Sequence, residues 1–225
     1  MIIGNGLLAK AFSKKILDDD ILIFASGVSD SNTTDENSFK REFNLISDLM
    51  LNNKSKKLVY FSSVFTDDID NPYFNHKKEI ENHIIENHKD FYIFRLPQIV
   101  GFGGNSNNII NLFVNNILSN TKITIWETKR CIIDIEDIVE IVELTIKNKT
   151  TNKVYNISEI ECISVSDIVK IIEEILNKKA LIDIVDKKTG FSIPNSLEIE
   201  EIINDLNFKR DGYIKKILRK YVKHK

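Results

Sequence analysis

Short apolar runs alternate with longer segments of helical period along the whole chain. Met1–Ile3 is a short strand-like start, and Leu7–Leu17 follows with Leu7, Leu8 and Phe12 on one side of a predicted helix. ILIFAS (21–26) is a continuous apolar run, the pattern of a strand buried on both faces. Glu36–Asn53 is predicted helical, with Phe39, Phe43, Ile46 and Met50 recurring at three- and four-residue intervals. The same reading gives strands at 57–63, 91–96, 122–126 and 154–157. It gives helices at Asn75–His88, Asn107–Leu118, Ile135–Lys147 and Val165–Leu176, with a mixed, mostly helical remainder. There is no internal repeat and no low-complexity linker. Such regular alternation predicts one α/β domain with a parallel sheet. Parallel sheets bind ligands beyond the carboxyl ends of their strands, so those ends hold the candidate chemistry.

The first strand runs into Gly4-Asn5-Gly6-Leu7-Leu8-Ala9, a G-x-G-x-x-A turn between a strand and a helix. Gly4 permits the tight turn, Gly6 admits a pyrophosphate to the backbone, and Ala9 lets the helix pack closely. The acidic residue that usually holds an adenosine ribose is expected after the second strand, yet that strand ends in Ala25-Ser26-Gly27. Asp18, Asp19 and Asp20 precede the strand and read as a helix end. The strand at 57–63 ends in Ser62-Ser63, and the one at 91–96 runs into Pro97. Between them, Asn71 can cap a helix with Pro72 as its first residue, which puts Tyr73 and Lys77 on one face. Two readings are open at this point: an ordinary helix start with a buried ring, or a proton donor with a tuning charge. A tyrosine releases its proton near pH 10, so work near pH 7 takes roughly 4 kcal/mol, part of which a nearby ammonium can supply.

Composition narrows this picture. Of 225 residues, 42% are hydrophobic and 28% charged, the balance of a soluble globular domain. The net charge of −2 gives no pull toward nucleic acid. No apolar run is long enough to span a bilayer, and the opening residues do not read as a signal peptide. The two cysteines, Cys131 and Cys162, lie far apart and in no metal-ligand spacing. No disulfide and no metal are expected, and a cytoplasmic location follows. The basic run KKILRKYVKHK reads as the solvated face of a last helix, with an anion-binding patch as the alternative.

Taken together, IIGNGLLA (2–9), ILIFASG (21–27), LVYFSS with YFNHK (58–63 and 73–77), FRLPQIVG (94–101) and KRCIIDIEDIVEIV (129–142) resemble the extended short-chain dehydrogenase/reductases, the NAD-dependent epimerase/dehydratase group. VYNISEIECISVSDIVKIIEEIL (154–176) is similar to the strand and helix that follow that family's substrate loop. The resemblance implies a Rossmann-like parallel sheet with helices on both faces and a small C-terminal substrate-binding portion. Residues 1–105 with 129–160 would form the dinucleotide core, and 106–128 with 161–225 the substrate part. It implies Tyr73 as general acid/base, with Lys77 lowering its pKa and holding the nicotinamide ribose. Ser63 would be the hydroxyl partner, with Ser62 the alternative. Gly4, Gly6 and Leu7 would contact pyrophosphate; Ala25, Ser26 and Gly27 would pass beside the cofactor; Pro97 would lie near the nicotinamide. Arg130 matches an arginine that grips a nucleotide-sugar phosphate, against the reading of an exposed strand-end charge. Asn107 and Asn108 lie where substrate contacts are common, although a helix cap is the simpler account of them. Asp134 and Asp137 match structural positions.

The departures shape the expectation too. The chain is shorter than the family's usual members, with the gap between Leu17 and Ile21. ILIFAS resembles the family's fourth strand, so one strand-helix-strand unit is missing, and the ribose carboxylate with it. No Asp-Glu pair follows Ser63, which argues against dehydration. The resemblance therefore implies a keto-sugar reductase acting on a nucleotide-activated sugar, using NADP or NAD, with NADPH slightly favoured. An epimerase using the same residues and a non-catalytic dinucleotide-binding module are the alternatives, with an RNA-binding relative behind them. The helices at 36–53 and 75–88 are the ones that pair in the family's homodimers.

Overall fold

A computed structural model describes residues 1–15, 18–103, 108–126, 128–185 and 193–222. Its central sheet has five parallel strands in the order β1 (Ile2–Ile3), β2 (Ile21–Phe24), β3 (Lys57–Ser63), β4 (Phe91–Leu96) and β8 (Lys153–Asn156). Alternate residues of each central strand face two helical layers, because side chains switch faces at every step of a strand. Leu22, Phe24, Leu58, Tyr60 and Ile93 pack against Ile46 and Met50 of α2 (Glu36–Asn52) and Ile80 and Ile84 of α3 (Pro72–Asn87). Ile21, Ile23, Val59, Phe61, Tyr92 and Phe94 face the other layer. That layer holds α1 (Leu7–Phe12), α4 (Ile109–Leu118), α5 (Ile135–Asn148), α6 (Val165–Leu176), α7 (Leu197–Asp205) and α8 (Tyr213–Val222). The expected parallel α/β architecture is thus observed.

Helix starts follow local chemistry. Asp35 accepts from the Asn37 N–H at the head of α2, and Asn71 accepts from the Phe74 N–H at the head of α3 with Pro72 in the first turn. Asn108 caps α4 and Ser164 caps α6, which ends at Asn177 in the left-handed region (φ 48°). The helix predicted from Leu7 stops earlier, at Phe12, where the Ser13 N–H bonds back to the Ala9 carbonyl; residues 16 and 17 lie outside the described set.

Five short strands among the described residues complete the C-terminal portion: β5 (Gln98–Val100), β7 (Lys129–Asp134) and β9 (Cys162–Ser164) in one sheet, and β6 (Ile123–Trp126) with β10 (Ile182–Val185) in another. β7 pairs in parallel with β5 and antiparallel with β9. This last pairing overturns the expectation for the cysteines. Cys131 lies opposite Cys162 with 4.2 Å between Cα atoms, and the two form a disulfide. The chain between them folds as α5 and β8 and returns beside its starting point, so sequence distance was no guide. The argument for a reducing compartment loses its ground with it.

The basic C-terminal run is amphipathic in fact. In α8, Tyr213, Ile214, Ile217, Leu218, Tyr221 and Val222 are buried, while Lys220 pairs with Asp134 and Glu136 and Lys215 with Glu174. Asp134 caps α5 and also accepts from the Tyr221 hydroxyl, which fits its structural role.

Candidate active site

The first turn and the end of β2 press together. Gly4 sits at φ +127°, a conformation that L side chains rarely adopt, and a Cβ there would lie 2.3 Å from the Ala25 carbonyl oxygen. Gly6 precedes α1 with open space where a Cβ would stand. On the far side of the turn, a Cβ on Gly101, just after β5, would meet the Leu7 side chain at 2.8 Å. Gly4 thus lies against the Ala25-Ser26 backbone, with Gly6 and Leu7 following in the same turn, and these residues form a lip at the ends of β1 and β2.

Gly27 has a second neighbour. A Cβ there would lie 2.7 Å from Lys77 Nζ and 2.8 Å from Glu42 Oε1. Lys77 is buried and donates to Glu42 Oε1 at 2.8 Å and to the Tyr60 hydroxyl at 3.2 Å. Glu42, fully buried on α2, also accepts from the Val28 N–H at 2.7 Å and the Tyr60 hydroxyl at 2.9 Å. His76 Nε2 lies 3.1 Å from its other oxygen. Burial alone would raise the Glu42 carboxyl. The Lys77 charge, with hydrogen bonds from His76, Lys77 and Val28, more than offsets this and holds it at about 2. An ionised carboxylate only accepts, so the His76 contact requires the proton on Nε2.

Tyr73 stands one helical turn before Lys77, whose Nζ is 5.7 Å from the centre of its ring. Its phenol is not lowered as the sequence reading anticipated. Burial raises it, Lys77 pulls it down, and Glu42 and Asp30 push it up again, for a net rise above the ordinary value. Burial is the largest cause, and the Glu42 carboxylate paired with Lys77 adds to it.

The two serines separate by strand alternation. Ser62 shares a face of β3 with Tyr60, on the α2–α3 side. Ser63 follows Phe61, and its Oγ accepts from the Phe65 N–H. Ser62 Oγ is buried without a hydrogen-bond partner among the described residues. An orphaned buried hydroxyl is costly unless something else supplies the bond.

Beyond α3's first residues opens a cavity of about 460 Å³ lined by Phe65, Asp70, Pro97, Trp126 and Arg130, among others. The Arg130 guanidinium is half-buried with no anionic partner among the described residues, and burial lowers its pKa. An unpaired half-buried guanidinium in a cavity is a ready anion site. Asp68 and Asp70 line another part of the same cavity. Asn108 accepts from the Asn111 N–H, which is the helix-cap reading; Asn107 lies outside the described residues. Cys131, Glu159 and Cys162 bring three ligand-type groups together, but the two sulfurs are bonded to each other.

Comparison with known proteins bears on this geometry. The sequence profile of the NAD dependent epimerase/dehydratase family matches residues 6–158. The chain belongs to that family. Solved structures that share its fold include dTDP-glucose 4,6-dehydratase from Bacillus anthracis in complex with NAD (TM-score 0.70, 15% identity, 96% of this chain and 75% of that one). UDP-N-acetylglucosamine 4-epimerase from Methanobrevibacter ruminantium, in complex with UDP-N-acetylmuramic acid, superposes with TM-score 0.69 at 17% identity over 97% and 79% of the two chains. RMD from Pseudomonas aeruginosa, complexed with NADPH, gives TM-score 0.69 at 14% identity over 91% and 80%. No curated protein matches the sequence.

The family implies a nicotinamide dinucleotide, and the residues present fit one half of it. The open approach at Gly6, the lip at Ala25–Gly27 and the remaining N–H of Lys77 suit a pyrophosphate and the nicotinamide ribose. The adenosine half is different. In the usual doubly wound order the first strand lies inside the sheet, whereas among the described residues β1 is an edge and the strand order does not reverse. This is the architecture expected from a missing strand-helix-strand unit. Sequence reasoning missed Glu42, Tyr60, His76 and Trp126. Only Trp126 carried a local signal, as a large aromatic at a strand end.

Proposed function

We propose that this chain is a nicotinamide-dependent reductase of a nucleotide-activated keto-sugar, with Tyr73 as the proton donor. The pairing of Tyr73 with Lys77 carries the reading: the ammonium lies 5.7 Å from the centre of the phenol ring and against Gly27 of the lip. A phenol holds its proton at neutral pH and can deliver it to the oxygen of a carbonyl as that carbon is reduced. The bound cofactor supplies the hydride. Tyr73 then protonates the oxygen of the reduced carbonyl, and Ser62, whose hydroxyl has no partner among the described residues, orients that oxygen. Ser62 takes the role that sequence order gave to Ser63, because it shares the face of Tyr60 and Lys77. Arg130 would hold the diphosphate in the cavity, which Pro97 also lines. Residues 1–105 with 129–160 supply the cofactor side, and 106–128 with 161–225 the substrate side. The strand-helix-strand unit that would carry a ribose carboxylate is missing, so nothing of that kind repels a 2′-phosphate, which supports NADPH as the preferred donor.

Mixing the protein with NADPH and a nucleoside-diphosphate 4-keto-hexose tests this. Stoichiometric NADPH oxidation is expected, with Tyr73→Phe slower by about 10²-fold or more. Interconversion of epimers without net NADPH consumption would establish the epimerase reading. Saturation by NADH or NADPH with neither oxidation of the cofactor nor epimer interconversion would establish the dinucleotide-binding module instead.

A further inference from the structure

The pair of Tyr73 and Lys77 has an unassigned third member. Glu42 is an acidic residue in the otherwise apolar stripe of α2, is fully buried, and has bonds from β3, α3 and the β2–α2 loop converging on its two oxygens. A buried carboxylate with this many donors is an organised centre, since an unpaired buried charge costs several kcal/mol. Gly27 is shaped to it, because any side chain there meets Lys77 Nζ and Glu42 Oε1 at once. The charged and titratable groups facing Tyr73 are Lys77 on its own helix, Glu42 on α2, Asp30 on the loop before α2, and Tyr60 on β3. His76, which stacks on Phe39, reaches this set only through Glu42.

We infer that Glu42 is the positioning residue of the Tyr73–Lys77 pair: its carboxylate fixes the ammonium one helical turn from the phenol and offsets its charge there. Tyr60 completes the arrangement by accepting from Lys77 while donating to Glu42, which ties the ammonium to β3 as well as to α2. The electrostatic part concerns only these side chains. Its catalytic consequence rests on the reductase reading above.

The test uses the full chain with tyrosines carrying ¹³C at Cζ, followed by NMR across the alkaline range, with Tyr73→Phe assigning the signal. In the parent, Tyr73 is expected to keep its proton beyond the ordinary tyrosine value of about 10. Glu42→Gln is expected to make it at least about tenfold more acidic, and to move the alkaline limb of the NADPH-oxidation pH profile down with it. Glu42→Gln/Lys77→Met removes both charges and is expected to titrate as the parent does. This variant leaves no buried charge unpaired, so it carries the test if Glu42→Gln does not fold. An unchanged Tyr73 midpoint in Glu42→Gln, or a double variant about tenfold less acidic than the parent, overturns the inference. A Tyr73→Phe protein that turns over at the parent rate overturns the reductase reading and leaves the titration result standing.

Discussion

Glu42 shows what a single residue can hide. In sequence it is one more charge on an amphipathic helix, flanked by Phe39, Phe43 and Ile46. Its partners Val28, Tyr60, His76 and Lys77 are 14 to 35 positions away, so no local pattern announces them. Tyr73 and Lys77 were legible because they share one helix, four residues apart after an Asn-Pro start. The counter-charge was not, because it comes from another element. Two predictions belong to this scale. The carboxyl is held at about 2 against an ordinary 4.5, so its contribution is complete above pH 4.5 and is lost as pH falls toward 2. Urea unfolding across that window is expected to show a loss on the order of 3 kcal/mol, absent in Glu42→Gln. At neutral pH, Gly27→Ala is expected to cost roughly 1–3 kcal/mol, because Lys77 Nζ is pinned and cannot yield to the new methyl; thermal unfolding measures it.

At the scale of elements, periodicity located every strand of the central sheet and the helices that pack on it, because buried strands read as unbroken apolar runs. It did not show β5, β7 or β9. β7 opens with Lys129, Arg130 and Cys131, polar or neutral residues without a period, and it exists because β5 and β9 hydrogen-bond to its two edges. That strand carries Arg130 to the cavity and Cys131 to its disulfide. The bond closes a loop of 31 residues containing α5 and β8. Constraining a loop of that length in the unfolded chain stabilises by about 3–4 kcal/mol on the chain-entropy account. Cys131→Ser/Cys162→Ser is expected to lose about that much in chemical denaturation. Added dithiol should reproduce the loss in the parent and leave the double variant unmoved.

At the scale of the whole molecule, the order of the central sheet decides how a cofactor can be held. The alternation of strands and helices and the gap after Leu17 already implied a sheet short of one unit, and β1 at the edge is that shortage in space. A doubly wound sheet grips a dinucleotide where its strand order reverses, with one half of the sheet beneath each nucleotide. Here every strand beyond β1 lies on the same side, toward β8, so the nicotinamide side keeps its floor and the adenosine side has none. On the proposed reading, affinity comes from the glycine turn, the Ala25–Gly27 segment and Lys77. Reduced nicotinamide mononucleotide is accordingly expected to bind within about tenfold of NADPH, leaving less than about 1.4 kcal/mol for the whole adenosine half. Fluorescence titration of both ligands at one ionic strength measures the ratio. A preference for NADPH beyond about a hundredfold demands a surface that this sheet does not supply, and would place the missing wall on another chain.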